Sequence, residues 1–372
     1  MKTAKTTIVL LLAMCMVLTL LVGCGGSAAP AAPAAPAAPA APAAPAAPAE
    51  APAEAPAEET WSFTMAHHHA VGSLTDQYCN DFAAAVAEKT GGRVTITVYP
   101  GAQLGTEQEA ADGILLGTQQ FTVVSPGSYV DNVPGFGIET LPFMARGWEE
   151  LWYVFYDGGV GEALDANLNK AGGKVLAWLP TGGRHMIFVD KNVTSYKEIA
   201  GLAMRCPEST IFSGMMKALG AAPTPITWSD CYTALQTKVV DGMETPISSM
   251  IDMNFAEVTK YCLMTNHMWS VLSLVVNYDI WNSMPAEVQA QIAEAADEVT
   301  LKHYGIQQDA ESVNMQKCID MGIVFNEMDP DEAATLPGVF DAMKADWVKG
   351  LEGRQEIYDL FNAAREAFAA QQ

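Results

Sequence analysis

"GLAMRCPES", residues 201–209, decides how the rest of the chain is read. Gly201 opens the stretch, Leu202, Ala203 and Met204 run apolar, and Pro207 stops it, which gives the length and punctuation of a short buried strand. Arg205 sits inside that run. A buried guanidinium needs a partner, so an anion must meet the end of this strand: an internal Asp or Glu, or a group brought from outside.

The surrounding pattern is that of an alternating α/β chain. "WSFTMAHH" alternates as a strand, residues 75–89 carry apolar side chains at helical spacing up to Thr90-Gly91-Gly92, and "RVTITVYP" is a strand closed by Pro100-Gly101. A helix over 107–116 leads into "QFTVVSP". Strand, helix, strand, helix, strand implies crossover connections and some parallel pairing. Further helices are expected over 148–156, 161–170, 210–219, 230–237, 247–254, 286–316 and 331–366, with strands at "GKVLAW", "HMIFV", "GLAMRC" and "WSVLSLVVNYDIW". "HMIFVDKNV" opens a second strand-and-helix series, and a late apolar strand over 271–278 precedes a very long helix. Two lobes follow, 61–181 plus 271–310 and 182–270 plus 311–372, with a ligand cleft between them; a single large sheet is the alternative.

The first 23 residues carry Lys2 and Lys5, an apolar core from Ile8 to Leu20, and the ending Leu21-Val22-Gly23-Cys24. This is a secretory signal whose core is short for a membrane span, and its ending resembles a bacterial lipobox with Cys24 as the lipidated residue. A plain signal cut elsewhere and an uncleaved anchor are the alternatives. Residues 24–60 follow as the lipidated cysteine and an Ala/Pro-rich tether, with prolines at every third or fourth position that forbid a helix ladder. Fully extended, the tether reaches on the order of 110 Å. All these readings place the rest of the chain outside the cytoplasmic membrane.

Without the signal, the formal charge moves from −23 to −25, because Lys2 and Lys5 are lost and no acid is. Such a surface is unsuited to nucleic acid or anionic lipid, and a positive pocket must be built from few cations. Cys79, Cys206, Cys231, Cys262 and Cys318 are odd in number, widely spaced and free of CxxC or Cys/His ligand spacing. Neither a disulfide framework nor a structural zinc site is indicated; buried small hydrophobes are expected.

The segments "GGRVTITVYPGAQLG", "GLAMRCPES", "APTPITWSDCYTALQTKVVDGMETP", "EVTKYCLMTNH" and "LVVNYDIWNSMPAEVQAQI" resemble, in order, stretches of the solute-binding proteins of tripartite ATP-independent periplasmic (TRAP) transporters, the DctP-type family. The resemblance covers residues 61–366, and its strongest block is Tyr232, Ala234-Leu235-Gln236 and Asp241-Gly242 followed by Pro246. It implies an α/β, two-lobed, periplasmic-binding-protein-like fold of class II type with a long helix spanning both lobes. It also implies an organic acid as ligand, small and large membrane permease subunits as partners, and no cofactor or metal.

The resemblance makes Arg205 the anchor of the ligand carboxylate. The chemistry is independent of the family, since a planar guanidinium presents parallel N–H donors that match a carboxylate; an internal acid remains the alternative. Arg184 matches a second family arginine that touches ligand or braces the cleft, and Trp228 an aromatic that lies against ligand or packs in the core. Ser229 and Asp230 read as helix-start residues. Glu107 follows the "QLG" turn of the pocket wall and is equally a helix-start acid favoured by the dipole. Two departures bear on the ligand: Glu208 replaces the asparagine of sialic-acid-binding relatives, and Thr245 the asparagine that many members have before the proline. An anion at 208 repels a second carboxylate, so a monocarboxylate bearing a hydroxyl or amino group is favoured over a C4-dicarboxylate.

On a strand, His67 and His69 point to one face and His68 to the other. With no third ligand nearby, His67 and His69 are read as cleft contacts or exposed loop residues ahead of a metal site. The sequence contains no G-x-S-x-G elbow, Walker loop, dinucleotide fingerprint or H-E-x-x-H, and capture by lobe closure requires no chemical step, so the protein is read as a binding protein and not an enzyme. Feeding a receptor kinase, or an ATP-driven uptake system, are the alternative roles.

Overall fold

The computed structural model describes residues 59–372; the signal, Cys24 and most of the tether lie outside the described residues. β1 (Trp61–His67) alternates as its sequence demands and pairs in parallel with β2 (Val94–Tyr99) on one edge and β3 (Phe121–Val124) on the other. The helix Leu74–Lys89 supplies the first crossover and the helix Glu107–Leu116 the second. Ser73 caps the first helix, and Thr106 and Glu109 close a capping box on the second.

The chain then makes a strand that the sequence reading divides. "GKVLAW" and "HMIFV" are the two ends of one 16-residue strand, β4 (Gly173–Phe188). Thr181-Gly182-Gly183 reads as a turn, yet the ladder to the neighbouring strand passes through it, with register shifts at Pro180/Gly182 and Arg184/Met186. Gly182 has φ +102, which an L side chain rarely adopts. β5 (Ala203–Cys206), β6 (Ala222–Pro225) and β7 (Gly242–Pro246) follow. β8 (Tyr261–Asn277) is longer than its apolar core suggested and runs antiparallel to β4 along its whole length; β9 (Val324–Glu327) lies on its first residues.

The order β2-β1-β3-β8-β4-β7-β5-β6 is therefore one connected sheet with two halves, because β4 and β8 belong to both. Each half has an apolar layer on both faces. In the first, Val123, Leu274 and Val276 pack with Phe82 and Ile292 on one face, while Val124, Val175 and Val275 pack with Leu151 and Phe155 on the other. In the second, Met186 and Phe188 point into one cluster, Ile187 and Val189 into the other. The helix Ala286–Asp320 joins the halves: Val288, Ile292 and Ala296 are buried in the first, Cys318 in the second. All five cysteines among the described residues are free and buried.

Residues 331–366, read as one helical stretch, are broken. Pro337 falls in a 3-10 turn, the helix Asp341–Gly350 ends in extended Leu351, and Gly353 at φ +88 starts the helix Arg354–Ala369. Ile357, Phe361 and Ala364 of that last helix share a cluster with Leu151 and Val154 of the first half.

The Asp241-Gly242 pair has a structural cause. Asp241 receives the Ala203 N–H on its carboxylate at 2.9 Å and returns its own N–H to the Ala203 carbonyl at 2.7 Å, which fixes the start of β5. Gly242 lies so close to β4 that a Cβ would enter the van der Waals shell of the Ile187 carbonyl oxygen. Gly242→Ala is accordingly expected to destabilise the protein by about 3 kcal/mol through strand displacement, read as a lowered urea midpoint; an unchanged midpoint would show that the close approach has no energetic role.

Candidate functional site

The two halves meet over a cleft with Thr181 and Arg184 of β4 between its walls, which come from β5 and from segments that follow the sheet strands. The cleft has a volume of about 100 Å³, room for several waters or one small organic molecule. One wall holds His68, His69, Glu107 and Ser128, the other Arg205, Glu208, Ser209, Phe212 and Trp228, with Thr181, Arg184 and Gln307 between.

Arg205, on β5, is 2% exposed. Its Nε and Nη2 both donate to the Ile226 carbonyl oxygen, at 2.9 and 2.7 Å, and its Cζ lies 5.5 Å from the Trp228 ring centroid. A carbonyl and an aromatic face orient the fork without neutralising it. Nη1 is buried with no hydrogen-bond partner among the described residues, and no Asp or Glu there forms a salt bridge with this side chain.

Arg184 has the opposite arrangement. Its Nε and Nη2 meet the two carboxylate oxygens of Glu244, the Nη2–Oε1 bond measuring 2.7 Å. Glu244 is fully buried; burial pushes its carboxyl up, but the Arg184 guanidinium outweighs that and holds the carboxyl below its ordinary value. Of the two roles expected of Arg184, bracing is thus made by an internal partner, although the side chain still reaches the cleft wall.

Glu107, at the first turn of its helix, accepts the Ser125 N–H at 2.7 Å and stands 3.6 Å from His68 Nε2. Burial raises its carboxyl above the ordinary range, against the pull of the Ser125 N–H and of both arginines. Glu208 is exposed at the rim. Asp252 crosses the cleft to accept the Leu74 N–H at 3.2 Å, and Thr210 donates across it to Asp131 at 2.9 Å.

The histidines divide differently from the alternation argument. β1 ends at His67, so His68 and His69 lie beyond the pleat and both line the cleft, their rings 6.1 and 5.9 Å from Trp228. His67 is turned away onto Asp76 at 3.1 Å, behind the wall. Burial, neighbouring histidines and the arginine charges drive His68 down to about 3 and His69 well below its usual value, so both are neutral hydrogen-bonding groups near pH 7. No group of three or more possible metal ligands occurs among the described residues.

The cleft thus gathers Arg205, Arg184, Trp228, Glu107, Glu208 and His69, whereas His67 and Thr245 lie outside its lining, Thr245 buried on β7 with its hydroxyl unpartnered. Sequence reasoning passed over His68, Ser209, Phe212, Asp252 and Glu244. Glu244 had a usable signal: like Arg205, it is a lone charge in a short strand. Beside Arg205 Nη1, four polar atoms of lining residues are buried without partners: Trp228 Nε1, His68 Nδ1, His69 Nε2 and Ser209 Oγ. Native proteins leave few such atoms unsatisfied; with five of them around one cleft, a polar ligand seated there has donors and acceptors to bond.

Comparison with known proteins agrees with this geometry. The model of the bacterial extracellular solute-binding proteins, family 7 (DctP), matches residues 65–349. A solute-binding protein of Verminephrobacter eiseniae is 34% identical over 215 residues, which is 58% of this chain and 64% of that protein, a little under two thirds of its length. The C4-dicarboxylate-binding periplasmic protein DctP of Rhodobacter capsulatus is 32% identical over 252 residues, 67% of this chain and 75% of that one. The crystal structure of a TRAP periplasmic solute-binding protein from Chromohalobacter salexigens with bound d-glucuronate superposes with a TM-score of 0.76 at 25% identity, covering 83% of this chain and 100% of that one. The two-lobed α/β architecture and the span of the family match together show that this chain belongs to the bacterial extracellular solute-binding proteins of family 7, the DctP family.

Proposed function

We propose that the protein is an extracytoplasmic lipoprotein, anchored through Cys24, that captures an organic acid and delivers it to the small and large subunits of a TRAP permease, with Arg205 as the carboxylate anchor. One observation carries this: a buried guanidinium on the cleft wall, oriented by a carbonyl and an indole, with no internal carboxylate and with Nη1 unpartnered. A ligand carboxylate satisfies both its charge and its donors. Relatives support the class: one is named for C4-dicarboxylates, and solved structures of related fold hold d-glucuronate or succinate. No step of bond making is needed, since a ligand that contacts both walls stabilises the closed arrangement by itself.

A monocarboxylate fits better than a dicarboxylate. Among the described residues Arg205 is the one cation of the lining without a carboxylate in salt-bridge contact, and Glu107, Glu208 and Asp252 present carboxyls to the remaining space. These accept from hydroxyl or amino groups and repel a second carboxylate. For the lobes we propose 61–181 plus 271–310 and 182–270 plus 311–353. The terminal helix Arg354–Ala369 is assigned to the first lobe because its buried face shares that lobe's core. No helix among the described residues is long and apolar enough to cross a membrane; the anchor in this reading is the lipid on Cys24.

Arg205→Lys keeps the charge but loses the fork. With each hydrogen bond to a charged group worth about 1.5–3 kcal/mol, d-glucuronate affinity measured calorimetrically should fall at least tenfold while the thermal midpoint shifts by only a few degrees. Equal affinity in the variant would refute Arg205 as the anchor. Mass spectrometry of the mature N-terminal peptide should show Cys24 as its first residue carrying a diacylglyceryl thioether, and an unmodified Cys24 would refute the lipid anchor.

A further inference from the structure

Ile211 belongs to one lobe and is buried in the other. It sits in the first turn of the helix Thr210–Ala218, which follows β5 in the second half, and it is 3% exposed. Phe212, Met215 and Met216 of the same helix pack in a second-half cluster with Met186, whereas Ile211 falls in the first-half cluster with Val130, Phe136 and Ile138. Trp347 is the other second-lobe residue buried in that cluster, but it stands just before the chain returns to the first lobe at Arg354. Ile211 stands at no such crossing, so what covers it is the approach of the two walls.

The first lobe leaves room for this side chain. Gly137 is at φ +83, and a Cβ there would lie 2.8 Å from Ile211 Cδ1 and 3.0 Å from Val130 Cγ2, so the missing side chain leaves a socket that the isoleucine fills. The residues on either side land on the same stretch of the first lobe: Thr210 donates to Asp131 at 2.9 Å, and the Phe212 ring stands 3.4 Å from where a Cβ of Gly127 would be. The anchor lies a few residues earlier in the same segment, since Arg205 and Ser209 both line the cleft.

We propose that Ile211 is a positioning residue for capture: it is solvated when the lobes part and enters the Gly137 socket when they close, and so lengthens the residence of a ligand it does not touch. This rests on the reading of the cleft as an organic-acid site between lobes that move. Removing apolar surface from water holds the closed form whatever hydrogen bonds the ligand makes, while Arg205 decides which ligand brings the lobes together. The latch therefore acts on dissociation and leaves the encounter with the open cleft alone.

The test compares Ile211→Ala with Met215→Ala, a change on the same helix but within the second lobe's own cluster, in the full mature chain. Without ligand, Met215→Ala should lower the thermal midpoint by several degrees, as loss of a core side chain does, while Ile211→Ala should leave it within about one degree. In stopped-flow fluorescence with d-glucuronate, Ile211→Ala should release the ligand about tenfold faster at an unchanged association rate. Ile211→Val, which still fills most of the socket, should keep the parental dissociation rate. An unliganded midpoint that falls as far as that of Met215→Ala shows Ile211 to be permanent core and overturns the inference, as does a dissociation rate equal to the parent's. A parent that does not bind d-glucuronate would count against the organic-acid reading instead; the midpoint comparison uses no ligand and still decides whether Ile211 is buried only on closure.

Discussion

The organisation of the molecule depends on a permanently charged group that is buried, among the described residues, without a carboxylate in salt-bridge contact. Arg205 is carried by a four-residue strand, tied at its start by the two hydrogen bonds between Asp241 and Ala203, and its fork is aimed by the Ile226 carbonyl and the Trp228 face. None of these contacts removes its charge. They remove its freedom, so a carboxylate that reaches it does not have to immobilise a flexible side chain, and preorganisation of this kind contributes to affinity.

The rest of the cleft is arranged to keep that cation the dominant charge. Arg184 is neutralised from behind by Glu244, and His68 and His69 are kept neutral by burial and by the arginines near them. The unpartnered atoms of His68, His69, Trp228 and Ser209 supply hydrogen-bonding capacity without charge. One charged contact ringed by neutral groups and a few carboxyls is a design for one end of a small polar acid. In the proposed reading it is poorly suited to an anion charged at both ends.

Much of this was legible in the sequence because local rules carried it. The alternation of "WSFTMAHH", the capped helix after Thr106 and the charge inside "GLAMRC" each identify an element or a site group without reference to distant residues. What was lost is non-local. The ladder that carries β4 through Thr181-Gly182-Gly183 exists because β8 lies alongside it, and no property of those three residues announces a strand. His67 and His68 exchange places for a related reason: alternation holds only while the strand lasts, and β1 stops at His67. Glu244 was within reach, because the reasoning that singled out Arg205 applies equally to a lone acid in "GMETP", and the cation it pairs with had already been named.

In the proposed reading the charge of Arg205 also couples capture to movement. In the arrangement described, the walls touch through Asp252 and Leu74, Thr210 and Asp131, and the histidines against Trp228. Shutting those walls over Arg205 withdraws a cation from water, which costs several kcal/mol when no opposite charge accompanies it. A carboxylate beside Arg205 cancels most of that cost, while a neutral molecule of the same shape does not. The ligand's differential interaction with the open and closed arrangements is what a population shift requires, and in the proposed reading its source is one guanidinium. An internal acid paired with Arg205 would stabilise the closed form with or without ligand and abolish the discrimination; the protein instead places its internal acid one strand away, on Arg184.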